Sequence, residues 1–161
     1  MEQDTRDLAV YVLVRTDLPS LTSGKAMAQV NHAGVQMLNK HRAQQLVRDY
    51  VTDGIQQGAD NFNTTIVLGA TLSQIQSVTV QANQFDTSVV VSDTVLDPSY
   101  PFFVQDAEVA DLIPETVATA VKKMADGRIL MTRSEVTCAW FVGDRADARF
   151  RMLFDGLDLH P

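Results

Sequence analysis

An almost unbroken apolar run, LAVYVLVR over residues 8–15, sets the strongest limit on what this chain can fold into. A strand with one wet face alternates apolar and polar residues. This one does not alternate, so both its faces need cover, as in a central strand of a layered sheet. Asp17 and a Pro/Ser/Thr-rich loop follow, and Gly24-Lys25 opens a helix with Thr22 or Ser23 as its N-cap. Lys25, Gln29 and His32 stand at i, i+4 and i+7 and share one helical face. Met27, Val30, Gly34 and Met37 stand at i, i+3, i+7 and i+10, a spacing that suits packing on a sheet. Strand, loop and helix together present polar groups near the positive N-terminal end of the helix.

The rest of the chain alternates in the same way. Residues 1–7 read as a loose polar end. The first helix runs to about Tyr50, bends or breaks near Asn39, and stops at Thr52-Asp53-Gly54, before a polar loop over 54–63. TTIVLGA (64–70) is a second strand, and an amphipathic helix with Ile75, Val78 and Ala82 begins at Ser73. Thr87–Val91 is a third strand ending at Ser92-Asp93, followed by a turn-rich Asp97-Pro98-Ser99-Tyr100-Pro101. Two helices are expected next, over 103–113 and from Pro114 to Met124, the second stopped by Asp126-Gly127. EVTCAWFV (135–142) is a fourth strand. A helix over 146–155 and a short edge strand, Leu157-Asp158-Leu159, close the chain. The pattern predicts an α/β fold, three layers of α/β/α around a mixed sheet of four to five strands. In such sheets ligands gather beyond the carboxyl ends of strands. Asp17 and Asp93 both fall at or just past such ends, and Lys25 opens the helix nearby.

Charge narrows the partners. Net charge is −7, and from Asp49 to Val121 there are ten acidic residues and no Lys or Arg. An acidic middle repels nucleic-acid phosphate, so an RNA partner has to approach the Lys25 side or the basic C-terminal third. The opening MEQDTRDLAV lacks the basic and apolar regions of a signal peptide, and no apolar run approaches the roughly 20 residues that span a bilayer. A cytoplasmic protein with no membrane partner is expected. Cys138, alone in the chain, makes no internal disulfide, and its apolar strand predicts a buried, inert thiol.

Common catalytic motifs do not fit. Before Gly24-Lys25 the P-loop glycine position is Pro19, and Ala26 replaces the Ser or Thr that follows the lysine. The dinucleotide fingerprint is absent. His32, His41 and His160 show no metal-ligand spacing, and no GxSxG elbow marks a hydrolase serine. Lys25 with Asp93, supported by Gln29 and His32, is the remaining candidate group. No metal or cofactor is expected with it.

Asp17 to Ala33, DLxxxxSGKAMAQVNHA, resembles the opening signature of the type 2 peptidyl-tRNA hydrolases, with Gly24, Lys25, Ala28, Gln29, His32 and Ala33 all fitting. EVTCAWFVGD, a helix and LDL resemble that family's closing elements. The resemblance implies hydrolysis of the ester joining a peptide to the 3′ end of tRNA, without a metal. It places the catalytic Lys on Lys25 and the catalytic Asp on Asp93, with Asp17, Gly24, Gln29, His32 and Thr94 around the substrate. A family Thr falls on Thr137 or Cys138. Two departures stand out. The family's Ala-Gly-Arg-Thr is replaced by Thr94-Val95-Leu96-Asp97, and about thirty residues occupy a position where the family has a short loop. The organisation read from this is one domain over residues 1–161 with an insertion at about 96–130.

In the active reading, Asp93 orients or deprotonates water, and Lys25 with the helix N-terminus stabilises the oxyanion. The partner is then the acceptor end of peptidyl-tRNA. In a second reading the fold is inactive and binds a protein through residues 94–130. A third is a small-molecule enzyme on the same scaffold. The family's habit of dimerisation implies a homodimer, with Phe102 and Phe103 serving either an interface or the core.

Overall fold

The computed structural model describes residues 6–18, 20–56, 63–105, 113–115 and 117–161. The elements are β1 (Leu8–Arg15), α1 (Ser23–His41), α2 (Gln45–Gln56), β2 (Thr64–Ala70), α3 (Leu72–Ala82), β3 (Val90–Val104), β4 (Thr119–Lys123), β5 (Ile129–Asp144) and α4 (Ala148–Met152). The five strands form a mixed sheet in the order β2-β1-β5-β3, with β4 pairing β5. The chain divides into two compact units, one of Met1–Val95 with Cys138–Pro161 and one of Leu96–Thr137.

In the first unit β1 is the central strand its composition demands. It pairs parallel with β2, Ala9 opposite Thr64 through Arg15 opposite Ala70, and antiparallel with β5, Leu8 opposite Asp144 through Val14 opposite Cys138. A parallel pair needs a long crossover, and α1 and α2 supply it. Leu8, Val10, Val12 and Val14 pack with Ala26, Ala33 and Met37 of α1 and with Leu46, Val47 and Tyr50 of α2. Leu13 lies in a second cluster with Ile75, Val78 and Ala82 of α3 and Phe150 of α4. Helices therefore cover both faces, giving three layers. Each fully buried Val, Leu or Phe contributes about 1.5–3 kcal/mol, so β1 collects much of the unit's burial energy.

Several boundaries differ from expectation for local reasons. The first helix breaks close to the expected place, the chain turning at Arg42–Gln44 with the Gln44 amide donating to the His41 carbonyl at 2.8 Å, but α2 runs past Thr52-Asp53-Gly54 to Gln56. The polar loop expected after it lies mostly outside the described residues. α3 starts one residue early because Thr71 and Gln74 form a capping box. Asp86 holds Thr87–Val89 in a turn by accepting the Ser88 amide at 2.8 Å, so β3 begins only at Val90. It then continues through Asp93 and both prolines. Pro98 and Pro101 are tolerated because β3 is an edge strand. α4 is confined to Ala148–Met152, and the closing LDL makes one bridge, Leu159 to Leu68 of β2.

In the second unit, Ala118, Ile129 and Met131 pack with half-buried Phe102, Val104 and Ile113. The helix expected from Pro114 to Met124 is instead β4, paired with β5 from Thr119 opposite Thr132 to Lys123 opposite Ile129. Asp126-Gly127, read as a helix stop, is the hairpin turn, where Gly127 has φ 89°. The helix expected over 103–113 gives way to the end of β3, and 106–112 lie outside the described residues. Phe102 lies under the Arg133 guanidinium, and exposed Phe103 under that of Arg128.

Gly143 tests the packing of the first unit. A Cβ there would stand 2.3 Å from Cδ2 of Phe150, a fully buried ring. Gly143→Ala is expected to destabilise the fold by about 1–3 kcal/mol. In urea this reads as a lower midpoint with an unchanged slope; an unchanged midpoint would refute the close packing.

Candidate functional site at the start of helix α1

Thr22 is the N-cap by its backbone, φ −70° and ψ 164°, but its side chain makes no capping bond, and the first turn of α1 holds no acid. The helix end therefore keeps its positive potential, with Lys25 half-buried beside it. Ser23 and Gly24 are exposed, and a Cβ at Gly24 would meet nothing within 4 Å. The arrangement suits a negatively charged group.

The residues of α1 are rotated from the expected phase. The buried stripe is Ala26, Gln29, Ala33 and Met37, whereas Met27 is 73% exposed and Val30 and Gly34 are half-buried. Small alanines bring the helix close to the sheet. Gln29, expected on the functional face, is turned inward, and its backbone carbonyl accepts a bond from the buried Cys138 thiol at 3.5 Å. His32 remains exposed.

Asp17 sits where β1 leaves the sheet. It accepts a bond from Nε of buried Arg15 and the Leu72 amide at 3.2 Å. Burial pushes its carboxyl up, but the Arg15 bond, the Leu72 amide and the Arg15 charge outweigh that and hold it below its ordinary value.

Asp93 is elsewhere. Its Oδ2 lies 3.1 Å from His41 Nε2 and 3.7 Å from Lys40 Nζ, and its Oδ1 accepts the Thr94 amide at 2.8 Å. These contacts belong to the last turn of α1, whereas Lys25 is in the first. Lys25 and His41 are separated by about 24 Å of helix rise at 1.5 Å per residue. The expected convergence of Lys25 and Asp93 in one crevice does not occur. The reason is that Asp93 lies inside β3 rather than at its end. Thr94 stays with Asp93, and its carbonyl accepts from Gln36 Nε2 at 3.0 Å. Gln36 Oε1 in turn accepts the Trp140 indole N–H at 2.8 Å, and the Trp140 ring meets His41 edge-on at 5.0 Å. Asp93, Thr94, Gln36, Trp140 and His41 thus close a ring of contacts tying α1 to β3 and β5. Sequence reasoning passed over Gln36, Lys40 and His41; only the i, i+4 spacing of Gln36 and Lys40 hinted at a shared face.

A cavity of about 420 Å³ lies beside the start of α1, lined by Ser23, Ala26, Met27 and Val30 and by Val67, His160 and Pro161. At 100° per residue this flank is turned away from Lys25 and His32, so the apolar space and the lysine are on different sides of the helix. Among the described residues no group of three His, Cys, Asp or Glu side chains is placed to hold a metal. Among them, too, no helix is long and apolar enough to cross a membrane.

The fold and site define an α/β protein with a lysine-bearing helix start next to its central strand. A family model described as peptidyl-tRNA hydrolase PTH2 matches residues 8–95, more than half of the chain. The chain belongs to that family. No curated protein matches it. The matched stretch ends at Val95, where the contiguous N-terminal part of the first unit also ends.

Asp17 gives a test with a defined sign. Its folded carboxyl lies below the ordinary 3.8, so its contribution to stability is full above pH 3.8 and fades as pH falls through the folded value. Asp17→Asn is expected to lower the urea midpoint at pH 6, with the gap to the parent closing as pH drops below 3.8. A gap that persists unchanged in acid would exclude this role.

Proposed function

We propose that this chain hydrolyses the ester of peptidyl-tRNA, or of an N-blocked aminoacyl-tRNA, without a metal. The observation that carries the reading is Lys25 in the acid-free first turn of α1, within the residues matched by the family. Ester hydrolysis by water builds negative charge on the carbonyl oxygen in the transition state. In this reading Lys25 and the amides of the α1 N-terminus stabilise that charge or hold the terminal phosphate. The exposed Ser23-Gly24 backbone admits the acceptor end, with Asp17 and His32 flanking it. The acid role that the resemblance gives Asp93 does not fit its engagement by His41 and Lys40. Asp93 and Thr94 are assigned instead to holding β3 against α1, and Gln29 to seating the helix.

A second reading keeps the fold as a protein-binding module acting through residues 94–130, an addition to an otherwise single domain. It draws support from Leu96, Phe103, Val117 and Val121, all exposed in the second unit. A cytoplasmic homodimer is compatible with either reading.

Hydrolysis of N-acetyl-aminoacyl-tRNA separates these assignments. Lys25→Ala is expected to lower kcat by about a hundredfold or more. Asp93→Asn is expected to lower the urea midpoint and to leave kcat within a few-fold. An equal loss of kcat in Asp93→Asn at unchanged stability would return the acid role to Asp93. No turnover in the folded parent would favour the binding module.

A further inference from the structure

Residues 18–48 contain Lys25, Lys40, Arg42 and Arg48 and no Asp or Glu, although the whole chain carries −7. This acid-free stretch is α1, the turn after it and the first residues of α2. Elsewhere in the first unit, most arginines are paired with carboxylates, Arg6 with Asp49, Arg15 with Asp17, Arg145 with Asp7 and Arg149 with Asp147, and exposed Arg151 is an exception on the short helix α4. Even Lys40 faces Asp93. Arg42 and Arg48 differ. Both are exposed, and Arg42 has no ion pair among the described residues. Arg48 is held by neutral groups, donating to the Ala43 carbonyl at 2.6 Å and to Gln45 Oε1, so its charge is oriented without being cancelled. The two guanidiniums flank a hollow of about 190 Å³ floored by Leu38, Val47, Val51 and Thr52.

We infer that this α1–α2 corner docks the phosphate backbone of an RNA acceptor stem through Arg42 and Arg48. The inference rests on the proposed hydrolase reading and adds to it the surface that positions the substrate. Gly24 and Arg42 are eighteen residues apart, five full turns, so they lie on the same side of α1. Between them Ala28, Asn31, Val35 and Asn39 make an exposed, uncharged strip. The distance from Lys25 to Arg42 is about 26 Å of helix rise. An extended single-stranded 3′ end leading into a duplex fits that span, with its ester at Lys25 and its stem phosphates at the corner. Phosphate contacts fix register without reading sequence. The nearest carboxylate on α2, Asp49, is occupied by Arg6 at 2.9 Å and by Gln45.

The test uses an acceptor-stem minihelix ending in CCA, labelled for fluorescence anisotropy, and the same minihelix charged with an N-acetyl-aminoacyl group. The parent is compared with an Arg42→Ala/Arg48→Gln double variant, whose glutamine keeps a donor for the Ala43 carbonyl. Binding is expected to weaken roughly tenfold or more, and the slope of log K against log salt to shrink by about 1.4–1.8, two phosphate contacts' worth. KM should rise while kcat stays within twofold. Unchanged affinity and salt slope in a parent that hydrolyses the minihelix would overturn the docking surface and leave the hydrolase reading standing. A parent that neither binds nor hydrolyses it would overturn both. Poly-glutamate bound as tightly as the minihelix, and lost equally in the double variant, would reassign the surface to an acidic protein.

Discussion

The first unit depends on β1 being buried on both faces and paired on both edges. Its parallel partner β2 cannot be reached by a tight turn, so a helical crossover is obligatory, and the length of that crossover supplies α1 and α2. Its antiparallel partner β5 carries two of the largest fully buried side chains of the unit, Trp140 and Phe141, one to each face. The lysine-bearing end of α1 follows from this pairing. The chain leaves β1 at Arg15 and turns at Asp17. It then starts a helix whose first turn holds no acidic side chain.

The ring from Trp140 through Gln36, Thr94 and Asp93 to His41 meets a different need. A buried indole N–H without an acceptor costs about 1–3 kcal/mol. Gln36 removes that cost and uses its other end to bond the backbone of β3. Asp93 then gives His41 and Lys40 an anion at the helix end where cations are already favoured. One glutamine thus couples the satisfaction of a core residue to the placement of an edge strand.

Much of this architecture was legible in the sequence. LAVYVLVR and TTIVLGA mark β1 and β2 to the residue because apolar runs of that length, bounded by polar loops, have few other uses. The region after Val91 was misread because Pro98, Pro101 and Asp126-Gly127 carry the same local signals in an edge strand and a hairpin as in loops and helix ends. The phase of α1 was misread because Met27 and Val30 are more apolar than Ala26 and Gln29, yet the stripe that meets the sheet is Ala26, Gln29, Ala33 and Met37. Lys25 was legible through its motif. The whereabouts of Asp93 were not, since its partners Lys40 and His41 lie more than fifty residues away in sequence.

The other edge of the sheet carries a consequence for assembly. Along β2 the Gly69 amide donates to the Asp158 carbonyl at 2.9 Å, and the His160 amide to the Val67 carbonyl at 3.0 Å. These closing residues occupy the bonding positions through which a sheet edge recruits a foreign strand. They act as a selvedge. A second copy could not continue the sheet there without first peeling them away, so the β2 edge is guarded both against productive pairing and against uncontrolled strand addition.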